Sequence, residues 1–255
     1  MYAMRHLFGS WHSVARRLAS APLIALFLDF DGTLAHLGPR PDEVPVDSGA
    51  RHALAAITRS PRFRVWVISG RRHADVRDRV RVAGIRYLGL YGWEARCGME
   101  LGEETRRALA CLLRRIQRSF ASFRGVRVEE KQHALTVDHR AASEEEVVRA
   151  GHVLKVVVAP FTDLFRTEAG RNAWEVVPRE LGDKGLAVLR ELAALPRGAL
   201  PVYLGDDQAD EAAFAALPSG ITVRVGGNRP SRARYRLAGV AQVRTFLHRL
   251  KSEFA

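Results

Sequence analysis

Long apolar runs are missing from this chain: its aliphatic stretches break at charged or turn residues well short of the roughly 20 needed to span a bilayer. That excludes a membrane-spanning helix and leaves a globular protein with no membrane partner. Cysteine is scarce as well. Cys97 and Cys111 are the only two, too far apart for a C-x-x-C motif and too few for a disulfide framework. Reduced thiols and a cytoplasmic setting are expected. The nine histidines are scattered, and His133 and His139 lack a cysteine or acidic partner at ligand spacing, so no zinc site is legible.

Lysine is rare too: of the 40 lysines and arginines only Lys131, Lys155, Lys184 and Lys251 are lysines. The arginines run from Arg5 to Arg249 without a dense tract, and no helix-turn-helix, zinc-finger or RNP pattern accompanies the formal charge of +12. A nucleic-acid role is therefore not expected, although a positive field favours an anionic substrate. Acids are absent before Asp29, which gives the N-terminal segment the look of a targeting leader. Its apolar end flows directly into the motif argued below to be catalytic, so a short arginine-bearing amphipathic helix is expected instead.

What the chain does contain is a set of short apolar runs bounded by turn residues: "LIALFL", "FRVWVIS", "LPVYLG" and "ITVRVG", with helical patterns between them. This texture predicts an α/β fold, a Rossmann-like parallel sheet flanked by helices. Polar residues close the first three runs, Asp29, Ser69 and Asp206, and in open parallel sheets that edge is where ligands bind. From about Leu101 to Pro178 the pattern changes to a long helix, strand-like "VRVEEKQHALTVDHR", a charged helix from Ser143 to Val158, and "LFRTEAGRNAWEVVP". A smaller α+β unit with a one-sided sheet is expected there, inserted into the α/β core, with boundaries at 1–100, 101–180 and 181–255. "HLGPRPDEVPVDSG", His36 to Gly49, reads as a proline-rich loop.

Asp29 ends an apolar strand, where an unpaired charge costs several kcal/mol. One such aspartate alone would simply cap a helix. A second acid cluster, Asp206, Asp207, Asp210 and Glu211, follows another apolar strand, so the two strand ends together form an oxygen-rich site suited to Mg²⁺. Ser69 and Lys184 supply the hydroxyl and the cation that an approaching phosphate requires.

DFDGTL at 29–34, Ser69 after a strand, Lys184, and GDDxxDE at 205–211 occur in the order found in haloacid dehalogenase-like (HAD) phosphohydrolases, which the chain resembles. The resemblance implies a HAD core with a C2-type cap and a Mg²⁺ cofactor. Asp29 would be the nucleophile forming an aspartyl-phosphate, and Asp31 the acid and base on the leaving oxygen and the water. Ser69 and Lys184 would stabilise the phosphoryl oxygens, and Thr33 would donate to phosphate. Asp29, Asp31 through its carbonyl, Asp206 and Asp207 would hold the metal, with Asp210 in support.

Within the insertion, Glu129, Lys131, Arg140 and Glu175, closed by Asp183, Lys184 and Gly185, match the spacing of the trehalose-6-phosphate phosphatase subfamily. "ISGR" at 68–71 and "GLYGWE" at 89–94 extend the likeness. It implies action on a small-molecule sugar phosphate, gripped by Arg71, Glu129, Lys131, Arg140 and Glu175 through charge-assisted hydrogen bonds; a monomer is expected, although the sequence does not fix the oligomeric state. Sucrose phosphate or a glycosyl-phosphoglycerate is the alternative substrate. Glu94 and Arg171 are open between structural and ligand roles, whereas Trp93 and Trp174 read as packing residues. The chain departs from the subfamily at Tyr91, where a histidine is usual, at Asp138 and His139 before the cap arginine, and at Gln208 and Ala209. Cap closure over the site is expected, with hinges near 100 and 180.

Overall fold

In the computed structural model, residues 4–36, 46–93, 101–131, 133–170, 172–227 and 229–255 are described. Cys97, Glu94, Arg171, most of the proline-rich loop and the expected hinge near 100 lie outside them. Two compact units divide the chain: Met1–Cys97 with Asp183–Ala255, and Gly98–Gly182.

The first unit begins with β1 (Arg5–His6), α1 (Trp11–Ser20), β2 (Ile24–Asp29), α2 (Ser48–Ile57), β3 (Phe63–Ile68), α3 (His73–Val80) and β4 (Ile85–Leu88). The second unit holds α4 (Glu103–Phe120), β5 (Arg127–Lys131), β6 (Ala134–Asp138), α5 (Glu144–Val158), β7 (Phe165–Ala169) and β8 (Ala173–Pro178). The first unit then resumes with α6 (Lys184–Ala193), β9 (Leu200–Gly205), α7 (Asp210–Ala216), β10 (Ile221–Val225), β11 (Tyr235–Leu237) and α8 (Val240–Phe254).

Seven strands of the first unit pair in the order β1-β11-β10-β9-β2-β3-β4, every neighbouring pair parallel. The four predicted apolar runs are β2, β3, β9 and β10. Side chains alternate across β2, so Ile24, Leu26 and Leu28 join the core formed with α1, α2 and α8, while Ala25 and Phe27 pack towards α6 and α7. The Phe27 ring stacks on Trp66 at 4.5 Å between centroids. Burying Ile24, Leu26, Phe27 and Leu28 is worth roughly 1.5–3 kcal/mol each. That outweighs the several kcal/mol an ionised Asp29 costs at the strand end. Because β2 lies between β9 and β3, the residues that follow these strands are brought to the C-terminal end of β2.

The expected N-terminal amphipathic helix is α1, which buries Val14 and Leu18. No helix among the described residues is long and apolar enough to cross a membrane.

The second unit is a four-stranded antiparallel sheet in the order β5-β6-β8-β7. Leu135, Val137 and Val176 are buried, as are Leu109, Leu112 and Ile116 of α4 and Ala150 and Leu154 of α5. Trp174 packs on α5: a Cβ at Gly151 would come within 3.3 Å of the indole, which agrees with the packing role expected for Trp174. On the other sheet face Glu129, Thr136, Glu175 and Glu168 form one cross-strand row.

Candidate active site

Asp29 closes β2 and is 4% exposed. Lys184 reaches it from the start of α6, where the Asp183 side chain caps the helix by accepting from the Leu186 N–H at 2.9 Å. Lys184 Nζ donates to Asp29 Oδ1 at 2.8 Å and to Asp210 Oδ1 at 2.7 Å. Tyr203 on β9 donates its hydroxyl to the same Asp210 oxygen at 2.7 Å.

Carboxylate oxygens of Asp29, Asp206 and Asp210 lie within 4.8 Å of one another. Asp206 and Asp29 come from the two strand ends expected from the sequence; Asp210 joins them from the first turn of α7. The Asp207 carboxylate is turned to the backbone instead, accepting from the Ala209 and Asp210 N–H groups at 2.9 and 3.2 Å, and stands 3.8 Å from Lys184 Nζ. Arg224 on β10 braces this loop, donating to the Asp206 carbonyl at 2.9 Å, the Asp207 carbonyl at 3.3 Å and Glu211 at 3.0 Å. Gly32 has a φ of +82°, and a Cβ there would run into the Asp206 carboxylate, so this turn requires glycine.

The electrostatics bear on a metal. Burial pushes Asp29 well above the usual carboxylate range, with Lys184 opposing and the neighbouring acids reinforcing the rise. Burial pushes Asp206 up to about 6. On Asp210 the same burial is outweighed by Lys184 and by the Asp207 N–H, and it is held below the usual range. Lys184, despite its own burial, is raised well above 10.5 by Asp207, Asp210 and Asp29. Asp206 Oδ1 is buried without a hydrogen-bond partner. An all-oxygen donor set with excess negative charge and an orphaned carboxylate oxygen fits a hard divalent cation.

The remaining expected residues fall as follows. Ser69 follows β3, is 2% exposed, and its Oγ accepts from the Arg71 N–H at 3.0 Å, leaving its own proton available. Asp31 sits in a fork formed by Arg71, whose Nε and Nη2 donate at 2.6 and 2.9 Å. Arg71, expected at the substrate, is thus joined to Asp31. Thr33 lies in the turn after β2 with its hydroxyl buried and unpartnered. In the second unit, Lys131 and Glu175 form a 2.8 Å ion pair on the sheet face that also carries Glu129. Arg140 lies just past β6, its Nε 2.8 Å from Asp138 Oδ2. Tyr91 is buried with φ +60°.

Arg224 and the Arg71–Asp31 fork were not anticipated. Arg224 carries a signal only in hindsight, as a charge inside the buried run ITVRV of β10. A cleft of about 820 Å³ along α3 and β4, lined by His73, Arg77, Arg81 and Glu191 among others, contains none of the clustered carboxylates.

Residues 27–241 match the model of a family described as trehalose-phosphatase. The trehalose-phosphate phosphatase of Mycobacterium marinum is 32% identical over 252 residues, covering 92% of this chain and 63% of its own length. The chain thus spans a little under two thirds of such a relative. Among solved structures, the C-terminal domain of the Candida albicans trehalose-6-phosphate phosphatase superposes with a TM-score of 0.84 at 19% identity, covering 98% of both chains. A haloacid dehalogenase-like hydrolase from Bacteroides thetaiotaomicron gives a TM-score of 0.61 at 16% identity, covering 89% of this chain and 99% of that one. The fold is shared with these two structures, and the chain belongs to the trehalose-phosphatase family.

Proposed function

We propose that this chain hydrolyses trehalose 6-phosphate to trehalose and phosphate through an aspartyl-phosphate on Asp29, with Mg²⁺ as cofactor. The observation that carries the reading is the convergence of Asp29, Asp206 and Asp210 with Lys184 at the ends of adjacent parallel strands, in a chain whose family is trehalose-phosphatase.

Lys184 holds one oxygen of Asp29, leaving the other to attack phosphorus. As that oxygen–phosphorus bond forms, the bond to the sugar oxygen breaks, and Asp31 delivers a proton to the departing oxygen. Water then attacks the phosphoryl group, its proton passes to Asp31, and the bond to Asp29 breaks. Ser69 and Lys184 donate to the equatorial oxygens during both transfers. Mg²⁺, held by Asp29, Asp206, Asp210 and the Asp31 carbonyl, would neutralise charge between the carboxylates and the phosphoryl group. Asp207 serves this site by shaping the turn that presents Asp206 and Asp210.

The second unit is proposed to act as the C2-type cap. Its polar face, with Glu129, Lys131 and Glu175, offers acceptors and donors for sugar hydroxyls, and Arg140 is proposed to join them. Phosphate release from trehalose 6-phosphate beside a panel of sugar phosphates, each with Mg²⁺ and with chelator, tests the reading. A Mg²⁺-dependent preference for the trehalose ester supports it; preference for sucrose phosphate or a glycosyl-phosphoglycerate would move the assignment to that alternative.

A further inference from the structure

We propose that Asp75 and Arg79, on α3, are positioning residues that aim the Asp31 carboxylate at the leaving-group oxygen through Arg71. The inference rests on the phosphatase reading above and extends it to side chains remote from the phosphoryl site.

Four alternating charges run in a line. Asp31 accepts from Arg71 Nε and Nη2 at 2.6 and 2.9 Å; Arg71 Nη1 donates to Asp75 Oδ2 at 2.9 Å; Arg79 Nε donates to Asp75 Oδ1 at 2.6 Å. Asp75 and Arg79 are one helical repeat apart and share a face of α3, and Arg71, just before the helix, reaches Asp75 from its N-terminal side. Ordinary helix pairs of this chain end in solvent: Arg107 beside Glu103 is 78% exposed, and Arg149 beside Glu146 is 57% exposed. Arg71 and Arg79 are only 15% and 17% exposed. The Arg71 guanidinium also lies over the Phe30 ring, 5.7 Å from its centroid, so a ring, Asp31 and Asp75 constrain it together.

Both edges of the geometry have a consequence for proton transfer. A carboxylate has about four lone-pair sites, and the side-on fork occupies one on each Asp31 oxygen, so the plane of the fork fixes where the remaining two point. Asp75 stands between two guanidinium groups. On Asp75, burial is outweighed by the bonds from Arg71 and Arg79, which hold it below the usual carboxylate range and therefore charged. Neutralising it weakens the charge-assisted bonds that Arg71 Nη1 and Arg79 Nε make to Asp75, so the fork is held less firmly in its plane and Asp31 is re-aimed. Asp29 and Lys184 make no contact with this line among the bonds described, and the Arg71 bond to Ser69 Oγ comes from the backbone N–H, which a turn of the guanidinium leaves in place.

The test separates esters by their need for an acid. Alkyl esters such as trehalose 6-phosphate leave as alkoxides unless protonated, whereas 4-nitrophenolate departs unaided. In the full chain, Asp75→Asn is expected to lower kcat for the sugar ester by about tenfold or more, with KM changed by less than about twofold and a much smaller loss on 4-nitrophenyl phosphate. In an Asp31→Asn background the same substitution should add no further loss on the sugar ester. Equal losses on both esters, no loss on the sugar ester, or a fully additive double variant would each overturn the proposal. If the wild type hydrolysed neither ester, the phosphatase reading would fail. The relay is then judged on crystal structures alone: an Asp31 carboxylate unmoved in Asp75→Asn, with its Arg71 fork intact, overturns it, and a rotated fork supports it.

Discussion

Lys184 and Asp29 are a buried ion pair, 2.8 Å from nitrogen to oxygen, in which one cation faces the carboxylates of Asp29 and Asp210 directly and that of Asp207 at 3.8 Å. The balance is negative, so the two partners have opposite effects when removed. Lys184→Met strips the compensation and is expected to cost about 3–5 kcal/mol of stability and about 10²–10³ in turnover. Asp29→Asn removes a carboxylate that burial has already pushed upward; it should abolish turnover while leaving the metal-free thermal midpoint equal or higher. Thermal unfolding in chelator with paired activity assays checks both.

The acid cluster also sets a pH dependence. The folded state keeps a proton on Asp206 up to about 6, whereas the unfolded chain loses it near 3.8. Across that window the native state binds more protons than the unfolded one, so this group's contribution to stability falls as pH rises. In chelator, the wild-type thermal midpoint should decline between these values relative to Asp206→Asn; parallel curves would contradict the placement of Asp206.

Metal addition should reverse that decline. At a Mg²⁺ concentration about 100 times its dissociation constant, linkage adds about 2.7 kcal/mol, read as a rise in thermal midpoint that Asp206→Asn and Asp210→Asn both lose. Chelation should remove turnover, and restoring Mg²⁺ should return it.

Sugar recognition is tested apart from chemistry. Lys131→Ala, Glu129→Ala and Arg140→Ala are expected to raise KM for trehalose 6-phosphate by about tenfold or more, the loss expected of charge-assisted hydrogen bonds. Hydrolysis of 4-nitrophenyl phosphate, which has no sugar to hold, should change much less. Unchanged KM in all three variants would remove the sugar grip from this sheet face.

Much of this was legible before any fold was known. Asp29 and Asp206 announce themselves because charge at the end of an apolar run needs a partner, Lys184 reads as the cation such a site requires, and the runs themselves are long enough to read as strands. The short outer strands β1, β11 and β4 gave no such signal: they are two to four residues long and contain Arg5, Arg236 and Arg86. Among Asp206, Asp207 and Asp210, which carboxylate turns towards Asp29 depends on how the loop closes onto α7, and Arg224 sets that closure from a strand further along the chain. The Arg71 partner is equally a tertiary matter. Sequence assigns an arginine beside Ser69 to the substrate, and only the folded turn after β2 places Asp31 within its reach.

The parallel pairing of β2 with β9 has a consequence for biogenesis. Asp29 and Lys184 are 155 residues apart in the chain, so at about 5–20 residues per second the ribosome adds the lysine roughly 8–30 s after the aspartate. During that interval the nascent strand ends in a carboxylate with no counter-charge, beside a sheet still missing its central neighbour. Late assembly of the centre is thus written into the strand order, and a chain released early would hold Asp29 before the lysine that faces it and Asp210 together had been made.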